Sequence, residues 1–262
     1  MFQPVLPFGG LPGWRFLQDT YDRQIETFSK SIELKRDADY FSAKIATVES
    51  AEDLVKDRRL LKVALGAFGL QDDINNRYFI RKILEEGTTN DDSLANRFAD
   101  PKYADFSKSF GFGPSETRKT TEADFPAKIV ELFQTNSFEV STGEQDPIMR
   151  IALYATREVA DLAESEGSID TKWFTIMGDP PLRSVFERAL GLPEAFGQID
   201  IDQQLSVFKQ RARKQFGTDD PSVFSNSSKI DDLITTFIVR EQVNNLNSSL
   251  SSGSIALALL QN

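Results

Sequence analysis

Apolar residues recur along this chain at steps of three and four, which is the spacing of amphipathic helices. Near the beginning the pattern runs through Leu17, Tyr21, Ile25, Phe28 and Ile32, and near the end through Ile230, Leu233, Ile234, Phe237 and Ile238. No alternating pattern lasts longer than four residues, and SFEV at 137–140 is the one candidate for an extended segment. The sequence therefore predicts an all-α protein, a multi-helix bundle.

Helix start signals divide the pattern into segments. An Asp followed by Pro occurs at Asp146-Pro147 and again at Asp179-Pro180. Asp is a strong N-cap residue and Pro suits the first helical position, so each pair predicts a helix start. The segment SAED at 50–53 resembles a capping box and predicts a third start.

The distribution of Gly, Pro, Ser and Thr predicts the domain organisation. The segment GFGPSETRKTTEA at 111–123 is the strongest internal linker candidate. It would join an N-terminal helical lobe at 15–110 to a C-terminal lobe at 124–243. Residues 1–14 are rich in Pro and Gly and lack the basic start and unbroken apolar stretch of a secretory signal, so we expect a flexible arm. Residues 244–262 form an uncharged C-terminal tail.

Two segments of fourteen residues resemble each other. DRRLLKVALGAFGL at 57–70 and DPPLRSVFERALGL at 179–192 share six identical positions, namely Asp57/Asp179, Leu60/Leu182, Val63/Val185, Ala67/Ala189, Gly69/Gly191 and Leu70/Leu192. The match predicts that the two halves are diverged copies of one helical unit. Coincidence is the alternative, because short helix-plus-Gly matches are common.

The glycines of these segments raise the question of a phosphate-binding loop. Such a loop places glycines before a helix, so that free N–H groups point at the anion. Here the glycines follow a predicted helix, where Gly adopts the left-handed conformation of a C-cap without penalty. We therefore interpret each segment as an Asp-capped helix with a Gly stop.

Composition excludes several classes of function. The formal charge is −10, which argues against a nucleic-acid or anionic-membrane surface. The absence of Cys and His removes thiolate and imidazole catalysis and the usual zinc ligands. No calcium-loop or cofactor motif occurs, so we expect no metal and no cofactor. No apolar run approaches the roughly 20 residues that span a bilayer. The 21 Phe residues predict an aromatic core.

Three features could carry function. Five acidic pairs lie at predicted helix starts or turns, where Asp acts as a cap, and this interpretation is favoured over acid–base catalysis. The basic cluster of Lys209, Arg211, Arg213 and Lys214 fits a solvated helix end, or else an anion contact. In the tail, the apolar end IALALL either folds back on the core or docks onto a partner, and its candidate docking residues are Ile255, Leu257, Leu259 and Leu260.

Several segments together resemble an alphaproteobacterial domain-of-unknown-function family, number twelve-seventeen. They are SAEDLVKDRRLLKVALGAFGL at 50–70, FIRKILEEG at 79–87, FADPKYADFSKSFGF at 98–112, FEVSTGEQDPIMRIALYATRE at 138–158 and FIVREQ at 237–242. The resemblance covers about residues 20–245 and implies an all-helical fold. It also implies a flagellum-associated role, because members are often found near flagellar genes. It supplies no catalytic residues.

These observations predict a non-enzymatic structural or assembly factor that acts by protein–protein interaction, with a flagellar setting implied by the resemblance. The alternative is a small-ligand-binding protein, or an enzyme that uses carboxylates and Arg in place of His and Cys. We expect a cytoplasmic protein, or one exported with the flagellum without a cleaved signal peptide. A protein partner is expected, and the oligomeric state stays open.

Overall fold

The structure is a computed structural model that describes residues 3–98 and 100–260, without the side chains of Glu194 and of residues 247–260. Within those residues it contains twelve α-helices and no strand, which confirms the all-α prediction. The first six helices are α1 (Gly10–Ser29), α2 (Ile32–Lys44), α3 (Ala51–Lys56), α4 (Arg58–Ala67), α5 (Arg77–Glu86) and α6 (Lys102–Phe110). The other six are α7 (Phe125–Gly143), α8 (Pro147–Glu164), α9 (Ile169–Gly178), α10 (Pro180–Leu190), α11 (Ile201–Phe216) and α12 (Ser227–Leu260).

The segment SFEV at 137–140 is helical, so the expectation of an extended segment was wrong. It lies inside α7. Phe138 is fully buried there and makes edge-to-face contacts with Tyr21 and Phe28, each at 5.5 Å between ring centroids. A four-residue alternation is too short to separate a strand from a helix, and the packing of the Phe138 ring settles the conformation.

The chain divides into two units. The first comprises the residues up to Val5 together with Leu17–Gln145, and the second comprises Leu6–Phe16 together with the residues from Asp146 onward. The stretch 111–123 lies inside the first unit, where the Thr120 hydroxyl donates to the carbonyl of Val48 at 2.9 Å. The N-terminal residues include the beginning of α1 at Gly10, and Trp14 is buried.

In the first unit α4 packs against α2 and α7. The contact with α7 is close, because a Cβ atom on Gly66 would lie 2.8 Å from the ring of Phe133. A side-chain bond fixes the same pair of helices, since the amide of the buried Asn136 donates to the carbonyl of Ala67 at 2.6 Å. The end of α4 is therefore held by a side chain of α7.

Both fourteen-residue segments are Asp-capped helices with a Gly stop, as the sequence predicts. Asp57 accepts from the backbone N–H groups of Arg59 and Leu60, and Asp179 accepts from that of Leu182. At the other end, Gly69 and Gly191 have φ angles of +71° and +67°. In each case the next residue donates back across the last turn: Leu70 N–H to Leu65 O at 2.9 Å, and Leu192 N–H to Glu187 O at 2.8 Å. This is the Schellman pattern of a helix C-terminus.

The resemblance between the two units extends beyond these segments. The Tyr40 hydroxyl donates to the cap Asp57 at 2.7 Å, and the Tyr154 hydroxyl donates to the cap Asp179 at 2.5 Å. Each Tyr ends the pattern Arg-x-Ala-x-Tyr, in RDADY at 36–40 and RIALY at 150–154. A third pair of segments aligns as well, KIVELFQT in α7 with KIDDLITT in α12. In the first unit α4 packs on α2, which carries Tyr40, and on α7. In the second unit α10 packs in the same way on α8, which carries Tyr154, and on α12. These matches support an internal duplication.

Candidate functional site

The N-terminal half of α12 is anchored in the second unit. One face of it is buried, through Ile230, Leu233, Ile234, Phe237 and Ile238. Two polar contacts fix the helix to α10: the Arg240 guanidinium donates to the carbonyl of Arg188 at 3.1 Å, and Arg188 forms a 2.5 Å ion pair with Glu241. Packing and polar contacts together therefore hold this half of α12 against the second unit.

The opposite face of α12 carries exposed apolar side chains. Val239, Val243 and Leu246 expose 39%, 51% and 62% of their surface. Their spacing of four and then three residues places them on one side of the helix. We call these three residues the α12 stripe. A run of exposed apolar residues at helical spacing is typical of a surface that contacts another helix.

The spacing of the α12 stripe continues in the sequence. Steps of four and three from Leu246 reach Leu250, Gly253, Leu257 and Leu260. The backbone of 247–260 is helical, and the side chains of those residues lie outside the described part of the structure. Of the four predicted docking residues, Leu257 and Leu260 fall on the register of the stripe, whereas Ile255 and Leu259 fall on the opposite register. Docking by these four residues stays a prediction.

Two of the four residues of the predicted basic cluster on α11 form ion pairs within the chain. Lys209 pairs with Asp170 at 2.6 Å, and Arg213 pairs with Asp219 at 2.8 Å. The hydrogen bond from Arg213 to Asp219 lowers the pKa of that carboxyl. Lys209 and Arg213 also line a shallow cleft of about 420 Å³. Anion contact by the cluster stays a prediction, although carboxylates of the chain already contact these two cations.

The other two cationic residues of the cluster lie elsewhere on the helix surface. Arg211 and Lys214 are exposed, and neither forms an ion pair within the described residues. Residues two apart on a helix point in different directions, so Arg211 does not face the cleft that Arg213 lines. The structure therefore brings together Lys209 and Arg213, and not all four residues.

Several acidic pairs have the structural role that the sequence indicates. Asp200 accepts from the N–H of Asp202, and Asp220 accepts from that of Ser222. Asp73 accepts from the Tyr103 hydroxyl at 2.7 Å, and burial together with this bond raises the pKa of Tyr103 to about 12. Across the described part of the chain, no group of three or more acidic residues is arranged to hold a metal ion. None of the described helices is long and apolar enough to cross a bilayer.

A charged cleft in the first unit was not among the predicted sites. It has a volume of about 520 Å³ and is lined by residues of α2, of α4 and of the short 3-10 helix Gln71–Asn75. Its charged lining residues are Glu33, Arg36, Asp37, Arg58, Arg59 and Lys62. We call it the α2–α4 cleft. The basic pair Arg58-Arg59 after the cap Asp57 was visible in the sequence, but the partners from α2 were not.

Buried Asp37 organises the α2–α4 cleft. It is only 4% exposed and accepts from Arg59 and from Lys62, each at 2.8 Å. Burial alone would raise the pKa of Asp37, but the hydrogen bonds from Lys62 and Arg59 outweigh burial and hold that pKa below its ordinary value. Lys62 also pairs with Glu33 at 3.0 Å. Asp37 is thus engaged by both Arg59 and Lys62, and Glu33 by Lys62.

Two known proteins are similar to this chain, one along most of its length and one over a part of it. A crystal structure of an Agrobacterium tumefaciens protein, a structural-genomics target, superposes with a TM-score of 0.72 at 23% identity, covering 93% of this chain and 100% of that one. This likeness concerns the fold. An N(4)-bis(aminopropyl)spermidine synthase of Thermococcus kodakarensis is 27% identical over 112 residues, which span 41% of this chain and 31% of that enzyme.

The profile of one family, described as a protein of unknown function (DUF1217), matches residues 67–232, which is more than half of the chain. The match extends from the end of α4 into α12 and so includes the second fourteen-residue segment and the basic cluster. It confirms the resemblance read from the sequence. The chain belongs to this family of unknown function.

Proposed function

We propose that this protein is a non-enzymatic structural or assembly factor that associates with other proteins through α12. The observation that carries the proposal is the α12 stripe, three exposed apolar residues on one face of an anchored helix. A helix that is packed along one face and presents apolar residues on the opposite face can offer that second face to a partner with little loss of its own order.

The spacing of the stripe indicates the kind of partner. Alternating steps of four and three from Val239 to Leu260 amount to three heptads. A repeat of seven residues keeps an apolar seam facing a second helix in a left-handed coiled coil. A helix is therefore a better occupant than a flat surface or an extended peptide.

The charge of the segment favours a second copy of this chain as that helix. From Asn244 onward the sequence contains no charged residue. Two identical copies can therefore approach along this segment without like-charge repulsion. The partner helix in this proposal is therefore α12 of a second copy of the chain.

The test is the mass of the full chain in solution as a function of concentration. Sedimentation of the wild-type chain between about 1 and 100 µM should show a dimer or larger species that dissociates on dilution. Val243→Asp adds a charge inside the apolar seam and should shift the chain to monomer, because a buried unpaired charge is costly. Deletion of Ser251–Asn262 should weaken association as well, since it removes the last three of the seven seam positions.

Asn245→Asp is the matched control. It adds the same charge to the same helix at an exposed position outside the α12 stripe. Association should persist in this variant. A wild-type chain that is monomeric across the whole range, or a control variant that dissociates as readily as Val243→Asp, contradicts the proposal.

The flagellar setting belongs to the proposal through the family resemblance. Replacing the chromosomal copy by the Val243→Asp variant should reduce swimming, and the Asn245→Asp variant should not. Normal swimming with a dissociated Val243→Asp variant would remove the flagellar part of the proposal and leave self-association standing.

A further inference from the structure

The α2–α4 cleft is cationic in a chain that is acidic overall. Four of its lining residues are basic (Arg36, Arg58, Arg59 and Lys62) and two are acidic (Glu33 and Asp37), which leaves a net charge of +2. The whole chain carries −10. A concave surface that reverses the sign of the molecule's charge concentrates the local field and attracts anions.

The charges of the cleft are not balanced internally. Asp37 and Glu33 are engaged by Arg59 and Lys62. The Arg58 guanidinium donates to the side-chain oxygen of Asn75 at 3.1 Å, which is a neutral acceptor. Within the described residues neither Arg36 nor Arg58 forms an ion pair with a carboxylate. Two guanidinium groups from different helices therefore line one cleft with their charges uncompensated.

Such a pair suits an oxyanion. A guanidinium group is planar and presents its N–H donors as a fork that matches a carboxylate or a phosphate group. Arg59 is held in place by Asp37 and by a bond from its Nη2 to the carbonyl of Arg36 at 2.6 Å. The floor of the cleft is thus preorganised, and only Arg36 and Arg58 have to turn toward a ligand.

An apolar recess adjoins the charged cleft. It has a volume of about 230 Å³ and shares Glu33, Lys62 and Gln71 with the α2–α4 cleft. Its apolar lining consists of Phe28, Leu34, Phe133 and Val140. A volume of about 520 Å³ lies within the usual range for small-molecule sites, and the recess offers a place for an apolar group.

We propose that the α2–α4 cleft binds a small organic anion, with its phosphate or carboxylate group between Arg36 and Arg58 and its apolar part toward Phe28 and Phe133. The proposal does not depend on association through α12, because every residue it uses lies in α1, α2, α4, α7 or the Gln71–Asn75 helix of the first unit. It assigns a role to the basic pair of the first fourteen-residue segment, at the N-terminal end of α4 and away from its glycines.

Titration calorimetry of the full chain tests the proposal with three probes: inorganic phosphate, phenyl phosphate and benzoate. Phenyl phosphate should saturate a single site and bind more tightly than inorganic phosphate, because its ring can enter the recess. Benzoate carries the same ring on a carboxylate, so its affinity relative to phenyl phosphate distinguishes the two oxyanions. Higher salt should weaken binding of each probe.

Arg58→Gln and Arg36→Gln should each weaken binding of phenyl phosphate by at least about tenfold. Both side chains are exposed, so folding should be retained, and circular dichroism checks it. Arg23→Gln is the matched control, since it removes the same charge from an exposed position on α1 that does not line the cleft, and it should leave binding unchanged. Arg211→Gln tests the predicted anion contact on α11 separately and should also leave binding unchanged.

Three outcomes overturn the inference. One is the absence of saturable binding of any probe at millimolar concentration. The second is unchanged binding in both cleft variants. The third is a loss of binding in Arg211→Gln alone, which would place the anion site on the basic cluster of α11.

Discussion

The hydrogen bond from Tyr154 to the cap Asp179 gives the sharpest test of how the second unit is held together. Asp179 is buried, and it accepts from the N–H of Leu182 at the start of α10 as well as from the Tyr154 hydroxyl on α8. One carboxylate thus caps a helix and ties that helix to its neighbour. Tyr154→Phe removes the tie and keeps the ring.

The expected loss follows from the burial of the acceptor. A hydrogen bond to a charged group contributes about 1.5–3 kcal/mol to stability. Loss of the Tyr154 hydroxyl leaves one buried oxygen of Asp179 without its hydrogen-bond donor. With a urea m value of about 2 kcal/mol/M, the midpoint of the second unit should fall by about 0.75–1.5 M. The corresponding change in the first unit, Tyr40→Phe, should have a smaller effect, because Asp57 is only half-buried.

The chain offers a probe that reports on the second unit. Both of its Trp residues, Trp14 and Trp173, are buried and belong to that unit. Urea unfolding followed by Trp fluorescence should therefore show the loss in Tyr154→Phe. Tyr78→Phe is the control, since Tyr78 is exposed and its substitution should change the free energy of unfolding by less than about 0.5 kcal/mol. An unchanged fluorescence midpoint in Tyr154→Phe would refute the role given to this bond.

Two further predictions concern a helix end and a buried carboxylate. Gly217→Ala should destabilise the second unit by about 1 kcal/mol, because Gly217 has a φ of +85° and open space around it. Gly191→Ala should cost more, because its Cβ would lie 2.6 Å from the Arg240 Nη1 and displace the hydrogen bond from that nitrogen to the Arg188 carbonyl. Trp fluorescence ranks the two variants. Asp37 has a lowered pKa, so its contribution to stability is present above its ordinary pKa of 3.8 and is lost as the pH falls below that value. The difference in unfolding free energy between wild type and Asp37→Asn should therefore be constant near neutral pH and shrink below about pH 4, and an undiminished difference at pH 3 would contradict it.

Local rules predicted the helices with clear signals. The Asp-Pro pairs at 146–147 and 179–180 mark the starts of α8 and α10, and Asp57 and Asp179 cap their helices through their own side chains. The Gly stops were predictable for the same reason, because a left-handed C-cap depends on one residue and its immediate neighbours. Such features are local in the chain, and the sequence displays them directly.

Contacts between distant residues were not predictable in this way. The composition of 111–123 is typical of a loop. It does not reveal that the following helix, α7, packs on α4 through Phe133 and Gly66, and that α7 therefore belongs to the first unit. The Arg-x-Ala-x-Tyr pattern likewise does not reveal that Tyr40 donates to the cap Asp57, 17 residues away, or that Tyr154 donates to the cap Asp179, 25 residues away.

The sequence by itself determined the helical class, the capped ends of several helices and the lack of thiol and imidazole chemistry, because these depend on residue type and on spacing within a few turns. The tertiary structure decided the rest. It brought Arg36 of α2 to the same cleft as Arg58 of α4, and it buried one face of α12 while leaving Val239, Val243 and Leu246 exposed. Charge reversal in a cleft and exposure on a helix are properties of the packed chain, and they arise from which helices meet.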